Sequence, residues 1–398
     1  MNNTAIVTKL RNVRKHPNAD KLQLATVIGT TIVVGMDVKD GDLGIYFDSN
    51  LCLSLEFCKH NNLYSHSELN LDKDIKGYFN DNGRVKCIKL RGELSDGFYC
   101  LISNLNFTGG NLDKLVEGYE FNSFNGIKIC EKYIIKVKES GKSGQKRVRK
   151  LPNTKMFVEH FNTDQFMKNK NDIPIGSIVY ISEKEHGTSG RYGRSLVKNK
   201  RTWLDRILGK PKYTWKYLVG SRRVLIDCNS EDPYFKDDMR SQISKKLNGL
   251  LKKGEQLYVE IVGYDTNGSF IQKDFPYGCK LGEYDVMLYR VTMNNEDGMI
   301  IDMSREYVSR RAVELGLRSF TDLGKFYYDG DMDKLTERVI ELAQGKSVIC
   351  SDTIREGVVL WFINNKGFWQ ALKYKSDAFK LTESRHKDQG IVDIEDDS

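Results

Sequence analysis

The sequence has no long apolar run, no paired cysteine motif and no internal repeat. No stretch approaches the roughly 18 uninterrupted apolar residues that a membrane helix requires, which argues against a membrane-spanning protein. The first residues, MNNTAIVTKLRNVRK, contain no apolar core of secretory length. The eight cysteines form no C-x-x-C pair and no His/Cys set at zinc spacing. We therefore expect a cytoplasmic protein with reduced cysteines.

The length and the charge set the next bounds. A chain of 398 residues, 39% hydrophobic and 29% charged, is long enough for two domains that each bury a core. The net charge of +8 permits a polyanionic partner. This excess is mild and agrees equally with compositional drift, so charge alone does not indicate nucleic-acid binding.

Residues 1–135 have the pattern of an all-β domain. Short apolar runs alternate with glycines, which is the spacing of strands and turns in a small barrel. The runs are Leu24–Val27, Thr31–Val34, Gly44–Phe47, Val85–Leu90 and Phe98–Ile102.

Two stretches of this domain resemble OB-fold tRNA-binding modules. One is HPNADKL at residues 16–22, and the other is RVKCIKLRGELSDG at residues 84–97. The resemblance implies an OB-fold barrel that offers one face to nucleic acid through cations and aromatic side chains. Lys86, Lys89 and Arg91 are the candidate nucleic-acid contacts. The alternative is that these three residues form a solvated strand edge.

The segment KVKESGKSGQKRVRK, residues 136–150, is basic and has no apolar period. It is predicted to be a linker, with a phosphate-contacting surface hairpin as the alternative. Two G-K-S triplets, at 141–143 and 345–347, do not form phosphate-binding loops. The first glycine of that motif would fall on Lys136 and Ile340 respectively.

Residues 151–383 have a mixed α/β pattern, and residues 384–398 are predicted to be a frayed polar tail. The predicted strands are Ser177–Ile181, Tyr217–Val219, Leu257–Val262, Val286–Val291, Gly357–Phe362 and Trp369–Tyr374. The predicted helices are Lys236–Leu251, Ser304–Gly316 and Met332–Gly345, the last two ending at glycine.

The segment ISEKEHGTS, residues 181–189, supplies the candidate nucleophile. The mostly apolar residues 175–181 predict a buried strand that carries Lys184 to the mouth of a loop, where Gly187 and a polar, glycine-containing segment follow. A lysine held beside other cations can lose its proton and become a nucleophile. The K-x-x-G pattern is weak support by itself, because it occurs five times. The other copies begin at Lys89, Lys138, Lys246 and Lys387.

A series of later elements distinguishes Lys184 from the other copies. The series consists of Glu260 and Tyr289, each in an apolar strand, Glu356 at the start of a strand, and Lys373 and Lys375, which alternate onto one strand face. Each residue, taken alone, also has a purely structural interpretation: the glutamates could lie at strand edges, the tyrosine in the core, and the lysines on a solvated strand face. As an ordered set they favour a common site.

Attack of a lysine amine on the α-phosphate of a nucleotide accounts for this set. The amine must be neutral, and the charges of Lys373 and Lys375 would disfavour its ammonium form while stabilising charge on the phosphate. Glu356 and Glu260 are candidate ligands of a divalent metal, Mg²⁺ or Mn²⁺. Tyr289 is placed either to stack on a purine or to fill the core.

These segments resemble, in order, the motifs of the covalent nucleotidyltransferases, which comprise polynucleotide ligases and mRNA capping enzymes. The similarity spans residues 150–380 and rests on KEHG, SRR, VEIVG, the Tyr289 strand, EGVVL and LKYK. It implies an α+β nucleotidyltransferase domain, ATP-grasp-like with mixed antiparallel sheets and helices. An all-β OB-fold barrel would precede this domain.

The resemblance also implies roles for single residues. Lys184 resembles the adenylylated lysine, and Glu356 resembles the metal-site carboxylate. The other implied nucleotide contacts are Arg222 (or Arg223) and Glu260 at the ribose, Tyr289 at the base, Lys373 and Lys375 at the phosphates, and Glu183 at the adenine.

Two departures from the common family pattern indicate which branch of the family the chain resembles. His186 stands where many members carry aspartate, as in one RNA-sealing branch, and is either a general base or a hydrogen-bonded loop residue. Only 23 residues follow Lys375, too few for the OB domain that DNA ligases and capping enzymes carry there. The OB-like domain precedes the catalytic domain instead, which resembles RNA ligases that seal nicks with an RNA 3′-OH.

The sequence therefore predicts a monomeric, ATP-dependent RNA ligase that uses Mg²⁺ or Mn²⁺. It would join 3′-OH and 5′-phosphate ends through a lysyl-AMP intermediate, with nicked duplex RNA or RNA/DNA hybrid as substrate. The alternatives are a capping-type guanylyltransferase and a non-catalytic tRNA- or RNA-binding protein.

Overall fold

The computed structural model of the chain describes residues 4–135, 156–226 and 239–391. Within this part, the chain divides into two compact units. The first unit contains residues 4–135 and 380–391, and the second contains 156–226 and 239–379. The predicted linker at 136–150 lies outside the described residues. Every helix in the described ranges is too short or too polar to cross a bilayer.

The first unit is built from short strands, as its glycine-punctuated runs predict. A four-stranded sheet has the order β10-β1-β5-β9, and a three-stranded sheet has the order β2-β3-β4. The strands are β1 Ala5–Lys9, β2 Arg11–Lys15, β3 Gln23–Val27, β4 Thr30–Val34, β5 Leu43–Phe47, β6 Leu51–Leu53, β7 Cys87–Leu90, β8 Glu93–Asp96, β9 Phe98–Leu101, β10 Glu120–Phe121, β11 Ser123–Phe124, β12 Ile127–Lys128 and β13 Cys130–Lys132.

The two stretches that resemble OB modules contact each other in this unit. His16 is fully buried, and its Nε2 atom lies 3.1 Å from the Leu90 carbonyl oxygen. The Asn18 side-chain amide donates to the Arg91 carbonyl at 2.9 Å. Arg91 occupies the β7–β8 turn with a positive φ of 51°, followed by Gly92 at 97°. His16 and Asn18 of the first stretch therefore stabilise the β7–β8 turn, which belongs to the second stretch.

The predicted frayed tail from Ser384 is wrong for residues 384–388, which belong to a helix. Helix α7 spans Asp377–Asp388. Ser384 and His386 are buried, and Asp388 accepts an ion-pair hydrogen bond from Arg84 at 2.5 Å. The sequence pattern looks like a polar tail because its side chains are polar and because Arg84, which contacts both Ser384 and Asp388, lies some 300 residues earlier.

The second unit contains two sheets. A five-stranded sheet has the order β14-β25-β24-β15-β23, and a larger sheet has the order β18-β17-β16-β19-β20-β21 with β22 paired to β20. The strands are β14 Asp164–Gln165, β15 Ile178–Lys184, β16 Thr188–Lys198, β17 Tyr213–Gly220, β18 Leu225–Ile226, β19 Glu255–Gly263, β20 Tyr284–Asn294, β21 Ile300–Asp302, β22 Arg318–Ser319, β23 Asp322–Tyr327, β24 Gly357–Ile363 and β25 Trp369–Lys375.

Several helices begin at a side chain that caps the helix N-terminus. Ser304 caps α5 by accepting from the Tyr307 amide, and Asp331 caps α6 in the same way. The α-helices are α1 Leu55–His60, α2 Phe166–Asn169, α3 Trp203–Ile207, α4 Met239–Leu247, α5 Arg305–Glu314, α6 Met332–Ala343 and α7 Asp377–Asp388. Four 3₁₀ helices span Ser67–Leu69, Ile102–Thr108, Leu112–Lys114 and Lys170–Asp172.

The five-stranded sheet has one apolar and one polar face over its central strands. Ile181, Val358 and Leu360 alternate onto the apolar face, where they pack with residues of α2 and α6. Lys184, Lys373 and Lys375 occupy the other positions of the alternation. Because side chains alternate along each strand, one face of the sheet packs in the core and the other face carries the three lysines.

The polar segment after Gly187 is a strand rather than the expected loop. β16 begins at Thr188 and pairs with β19 on one side and β17 on the other. A Cβ atom at Gly187 would lie 2.3 Å from the Ile261 carbonyl oxygen, so glycine permits the close approach of the two chains. The loop that follows the candidate nucleophile is therefore only three residues long.

Candidate active site

Lys184 is the last residue of β15, and its side chain meets a buried carboxylate. Lys184 Nζ lies 2.9 Å from Glu356 Oε2, and the Glu356 side chain is only 2% exposed. Glu356 immediately precedes β24, which pairs directly with β15. The strand pairing therefore joins two residues that are 172 positions apart in sequence. In this arrangement the carboxylate stabilises the ammonium form of Lys184.

Two further lysines lie on the same face of this sheet. Lys184, Gly357 and Lys375 are direct cross-strand neighbours, and Lys373 lies two residues before Lys375. Because directly opposed residues point to the same side, the three lysines form one cationic surface beside the side-chain-free Gly357. Burial, reinforced by the charges of Lys375 and Lys184, lowers the pKa of Lys373 to about 7.

Lys373→Met is expected to remove a pH-dependent instability. In the unfolded chain the lysine pKa is about 10.4, so the folded protein releases this proton earlier. Below pH 7, Lys373 lowers the free energy of unfolding by its full amount. This destabilisation disappears as the pH rises toward the lysine pKa of the unfolded chain. Between pH 6 and pH 9 the free energy of unfolding of the wild type should rise by roughly 2–3 kcal/mol more than that of Lys373→Met.

Urea denaturation of both proteins at the two pH values measures this difference. Lys366→Met, at an exposed position in the turn between β24 and β25, is the control and should follow the wild type. An equal pH dependence in Lys373→Met and the wild type would contradict a depressed pKa.

His186 packs edge-on between two aromatic rings. Its ring centroid lies 4.9 Å from those of Phe275 and Phe379, at angles of 87° and 84°. Its Nδ1 lies 3.5 Å from Glu356 Oε2, the same oxygen that Lys184 contacts. His186 is thus placed to orient the carboxylate, and its side chain is only 13% exposed.

Two contacts fix the short loop between β15 and β16. The His186 amide donates to the Tyr277 hydroxyl at 2.7 Å, and the Gly187 amide donates to Glu260 Oε1 at 3.0 Å. Tyr277 itself has a positive φ of 49°, an uncommon conformation for a bulky residue. Glu260 therefore holds the loop that follows Lys184, which the sequence pattern does not reveal.

A cavity of about 450 Å³ lies in the second unit. It is lined by Glu159, His160, Phe161, Asn162, Arg222 and Arg223. The charge of Arg222 contributes to the lowered pKa of both Lys373 and His160, whereas Arg223 is more exposed. Because Arg222 lies near Lys373 and His160, it is a better candidate than Arg223 for the predicted nucleotide contact.

His160 is a residue of this cavity that sequence reasoning missed. Burial, then the charges of Arg290 and Arg222, lower its pKa well below the ordinary histidine value. Nδ1 lies 3.2 Å from an Arg290 guanidinium nitrogen, which fixes Nδ1 as acceptor in the neutral ring. The available signal was only its position in the aromatic segment FVEHF before the Lys184 strand.

Tyr289 is half-buried and lies beside this cavity residue. Its ring makes an edge contact with His160 at a centroid distance of 5.2 Å. It also packs against the core of the larger sheet. The structure brings Tyr289 to His160, while base stacking stays a prediction.

The two glutamates that flank Lys184 are both buried. Glu183 lies on the opposite face from Lys184, with Oε2 accepting from the Val348 amide at 2.9 Å and lying 3.5 Å from Arg355 Nε. Glu183 Oε1 is a buried acceptor without a hydrogen-bond partner among the described residues. Burial and the charge of Glu183 raise the pKa of Glu185 to about 7. The predicted adenine contact of Glu183 stays a prediction.

The three candidate nucleic-acid contacts lie in the first unit and differ in solvent exposure and ion pairing. Lys86 is ion-paired with Asp388, at 3.0 Å, and is mostly covered. Lys89 and Arg91 are exposed on the β7–β8 hairpin. Lys89 and Arg91 therefore fit an electrostatic contact better than Lys86, whose charge is already balanced.

The carboxylates of the site fit a hard divalent cation that keeps its waters. Within the described ranges, no three His, Cys, Asp or Glu side chains gather into a metal-binding cluster. Mg²⁺ and Mn²⁺ sites in phosphate enzymes commonly use one or two carboxylates with waters and substrate oxygens. Glu356 supplies such a carboxylate, whereas a closed zinc-type cage does not fit.

Comparisons with known proteins bear on the fold of the chain. An OB-fold domain family matches residues 4–102. Comparison with curated protein sequences finds no significant match.

Several solved structures of a Naegleria gruberi RNA ligase are similar to the chain over nearly its whole length. A variant of that ligase with ATP and manganese is 15% identical, with a TM-score of 0.61 over 96% of this chain and 99% of that one. The ligase with pyrophosphate is 17% identical, with a TM-score of 0.59 over 98% and 100%. A variant with AMP and manganese is 15% identical, with a TM-score of 0.60 over 95% and 98%.

At this level of identity the likeness establishes the fold. The chain has an N-terminal OB-fold domain, and the mixed sheets and helices that follow have the nucleotidyltransferase fold of an RNA ligase.

Proposed function

We propose that this protein is an ATP-dependent RNA ligase that acts through a lysyl-AMP intermediate on Lys184. The observation that carries the proposal is the contact of Lys184 with Glu356 beside Lys373 and Lys375 on one sheet face. The structural neighbours have been solved with ATP, AMP, pyrophosphate and manganese, which supports the same ligands here.

In the first step, the neutral amine of Lys184 attacks the α-phosphorus of ATP. A P–N bond forms, the bond to the bridging oxygen breaks, and pyrophosphate leaves. Lys373 and Lys375 lie on the face of Lys184, where they would balance the charge that builds on the phosphate oxygens. Glu356 would have to release the amine from its ion pair before attack.

The divalent metal, when bound, would supply positive charge to the phosphates, with Glu356 as its protein ligand. Glu260 is also a candidate ligand, although it already accepts the Gly187 amide. Arg222 lines the cavity that contains His160, and this position suits contact with the ribose or a phosphate. Tyr289 and Glu183 would contact the base.

In the later steps, AMP passes from Lys184 to the 5′-phosphate at the nick. The 3′-OH oxygen then attacks that phosphate, a phosphodiester bond forms, and AMP leaves. The exposed cations Lys89 and Arg91 of the first unit are candidates for holding the duplex. We propose nicks with an RNA 3′-OH as the substrate, and a monomeric, cytoplasmic enzyme.

A sealing assay tests the substrate. Nicked duplexes with RNA or DNA on each side of the nick are incubated with the protein, ATP and Mg²⁺ or Mn²⁺. We expect sealing when the 3′-OH strand is RNA and little sealing when it is DNA. Equal sealing of an all-DNA nick would contradict the RNA preference, and absence of sealing on every duplex would contradict nick ligation.

A parallel reaction separates the proposal from its two alternatives. The protein is incubated with α-labelled ATP or α-labelled GTP and then denatured. A ligase is expected to retain label from ATP. Label from GTP alone would indicate a capping-type guanylyltransferase, and RNA binding without either label would indicate a non-catalytic RNA-binding protein.

His186→Leu is expected to slow self-adenylylation by about tenfold, because leucine preserves the packing between Phe275 and Phe379 but removes the nitrogen near Glu356. His186→Asn retains a polar group there and should recover most of the rate. A label-transfer time course measures both. Equal rates for the leucine and asparagine variants would contradict an orienting role for Nδ1.

A further inference from the structure

The β16–β17 ladder ends in a tip that is unusually basic. Residues 198–216, named here the basic hairpin, contain seven basic residues and a single acidic one. The basic residues are Lys198, Lys200, Arg201, Arg206, Lys210, Lys212 and Lys216. The acidic residue, Asp205, pairs with Lys210. The remaining charge strongly favours a polyanion as partner.

The same tip exposes several large apolar side chains. The exposed fractions are 69% for Trp203, 52% for Leu204, 70% for Ile207, 71% for Leu208 and 46% for Tyr213. A single exposed apolar residue needs no explanation, but five within eleven positions form a patch of the kind found at binding surfaces.

The tip has a defined internal structure. Helix α3 begins with a capping box in which Thr202 and Asp205 bind each other's backbone amides. The Arg201 guanidinium donates to the Lys210 carbonyl at 2.9 Å, and the Asn199 side-chain amide donates to the Pro211 carbonyl at 3.0 Å. The cations and apolar side chains are therefore presented on an ordered scaffold.

Both strands of the ladder have one end at the candidate active site. β16 begins four residues after Lys184, and β17 ends two residues before Arg222. At about 3.3 Å per residue, the ten steps from Thr188 to Lys198 span roughly 33 Å. One turn of a B-form duplex measures about 34–36 Å, and one turn of an A-form duplex is somewhat shorter. The ladder thus sets the basic hairpin about one helical turn from the reacting lysine.

We propose that the basic hairpin binds the duplex arm of the substrate about one helical turn away from the nick. This rests on the proposed ligase function, which puts the nick at Lys184. The cations contact phosphates, and Trp203 and its apolar neighbours lie against the sugar edges of the wide, shallow minor groove of an A-form duplex. A membrane surface is less suited, because α3 has only five residues and cannot present a long amphipathic face.

Binding to nicked RNA duplexes with arms of different length tests this proposal. The arms extend 6 or 16 base pairs from the nick, on one side at a time, and fluorescence anisotropy gives the Kd. The hairpin variant combines Lys200→Ala, Arg201→Ala, Arg206→Ala and Lys212→Ala. A second variant combines Trp203→Ser and Ile207→Ser. The control combines the exposed changes Lys334→Ala, Arg338→Ala, Lys346→Ala and Lys366→Ala.

We expect both hairpin variants to raise the Kd by 10- to 100-fold for a 16-base-pair arm on one side and less than twofold for 6-base-pair arms. The charge variant should also lower the salt dependence of binding, by about one for each phosphate that it no longer neutralises. The control should bind like the wild type. An equal rise in Kd on short and long arms, or no rise, would overturn the proposal.

Two additional readouts distinguish duplex binding from a catalytic defect and from membrane binding. Self-labelling with α-labelled ATP should be unchanged in the hairpin variants, and a wild type that forms no adduct would refute the ligase function without bearing on duplex binding. Flotation with phosphatidylserine vesicles tests the membrane alternative. Vesicle binding that the hairpin variants lose, with RNA binding unchanged, would overturn the duplex assignment.

Discussion

Lys184→Ala is expected to abolish formation of the covalent nucleotide adduct and to reduce sealing of a 5′-phosphate nick by at least about 10³-fold. The reason is that the amine provides the bonding electron pair in the first step, and no neighbouring group can replace it in the same geometry. Lys373 and Lys375 lie on the same face of the sheet but serve the phosphates in this mechanism. Gel assays of label transfer and of sealing measure both effects.

A nick that already carries AMP on its 5′-phosphate makes this test specific. Lys184→Ala should still seal such a nick, since the last step does not use the amine as nucleophile. Lys246→Ala is a matched control, because Lys246 begins another K-x-x-G copy and is exposed on α4. Loss of sealing on the pre-adenylylated nick would indicate a folding defect, and a retained adduct would refute Lys184 as the acceptor of AMP.

Glu356→Gln is expected to reduce the rate of adduct formation by about 10²–10³-fold. Glutamine keeps the shape of the side chain but removes the charge that faces Lys184 and His186 and that would bind the divalent metal. Because the Glu356 carboxylate is buried, water cannot substitute for it. Initial rates of label transfer at saturating ATP and metal measure the loss.

The control for this change is Glu337→Gln, at an exposed position on α6. It should leave the rate unchanged. Thermal unfolding of both variants shows whether the site variant is folded. A folded Glu356→Gln protein with a rate within threefold of the wild type would contradict the assigned role of the carboxylate.

The central elements of the fold could be predicted because their patterns are local. The continuous apolar run at residues 357–362 predicts β24, and the strand begins at Gly357 as expected. The segment Ser304–Gly316 is predicted to be a helix, and Ser304 caps the start of the helix by accepting from the Tyr307 amide. The ordered series of motifs also predicts that Lys184 and Glu356 belong to one site, and adjacent strands bring them to 2.9 Å.

Other features depend on partners that are distant in sequence. β16 looks like a polar, glycine-containing loop because its residues gain their strand conformation from pairing with β17 and β19 on both sides. Helix α7 looks like a tail because Asp388 finds Arg84 only in the folded chain. His160 joins the cavity with Arg222 through tertiary packing, and no spacing rule relates the two.

The most direct test of the proposed lysyl-AMP intermediate is to locate the nucleotide on the protein. The wild type is incubated with ATP and a divalent metal, digested without acid treatment, and the peptides are analysed by mass spectrometry. The proposed mechanism predicts one AMP group, joined to the side chain of Lys184 and absent after addition of pyrophosphate. AMP on any other residue, or no AMP on a folded protein that still seals RNA nicks, would contradict it.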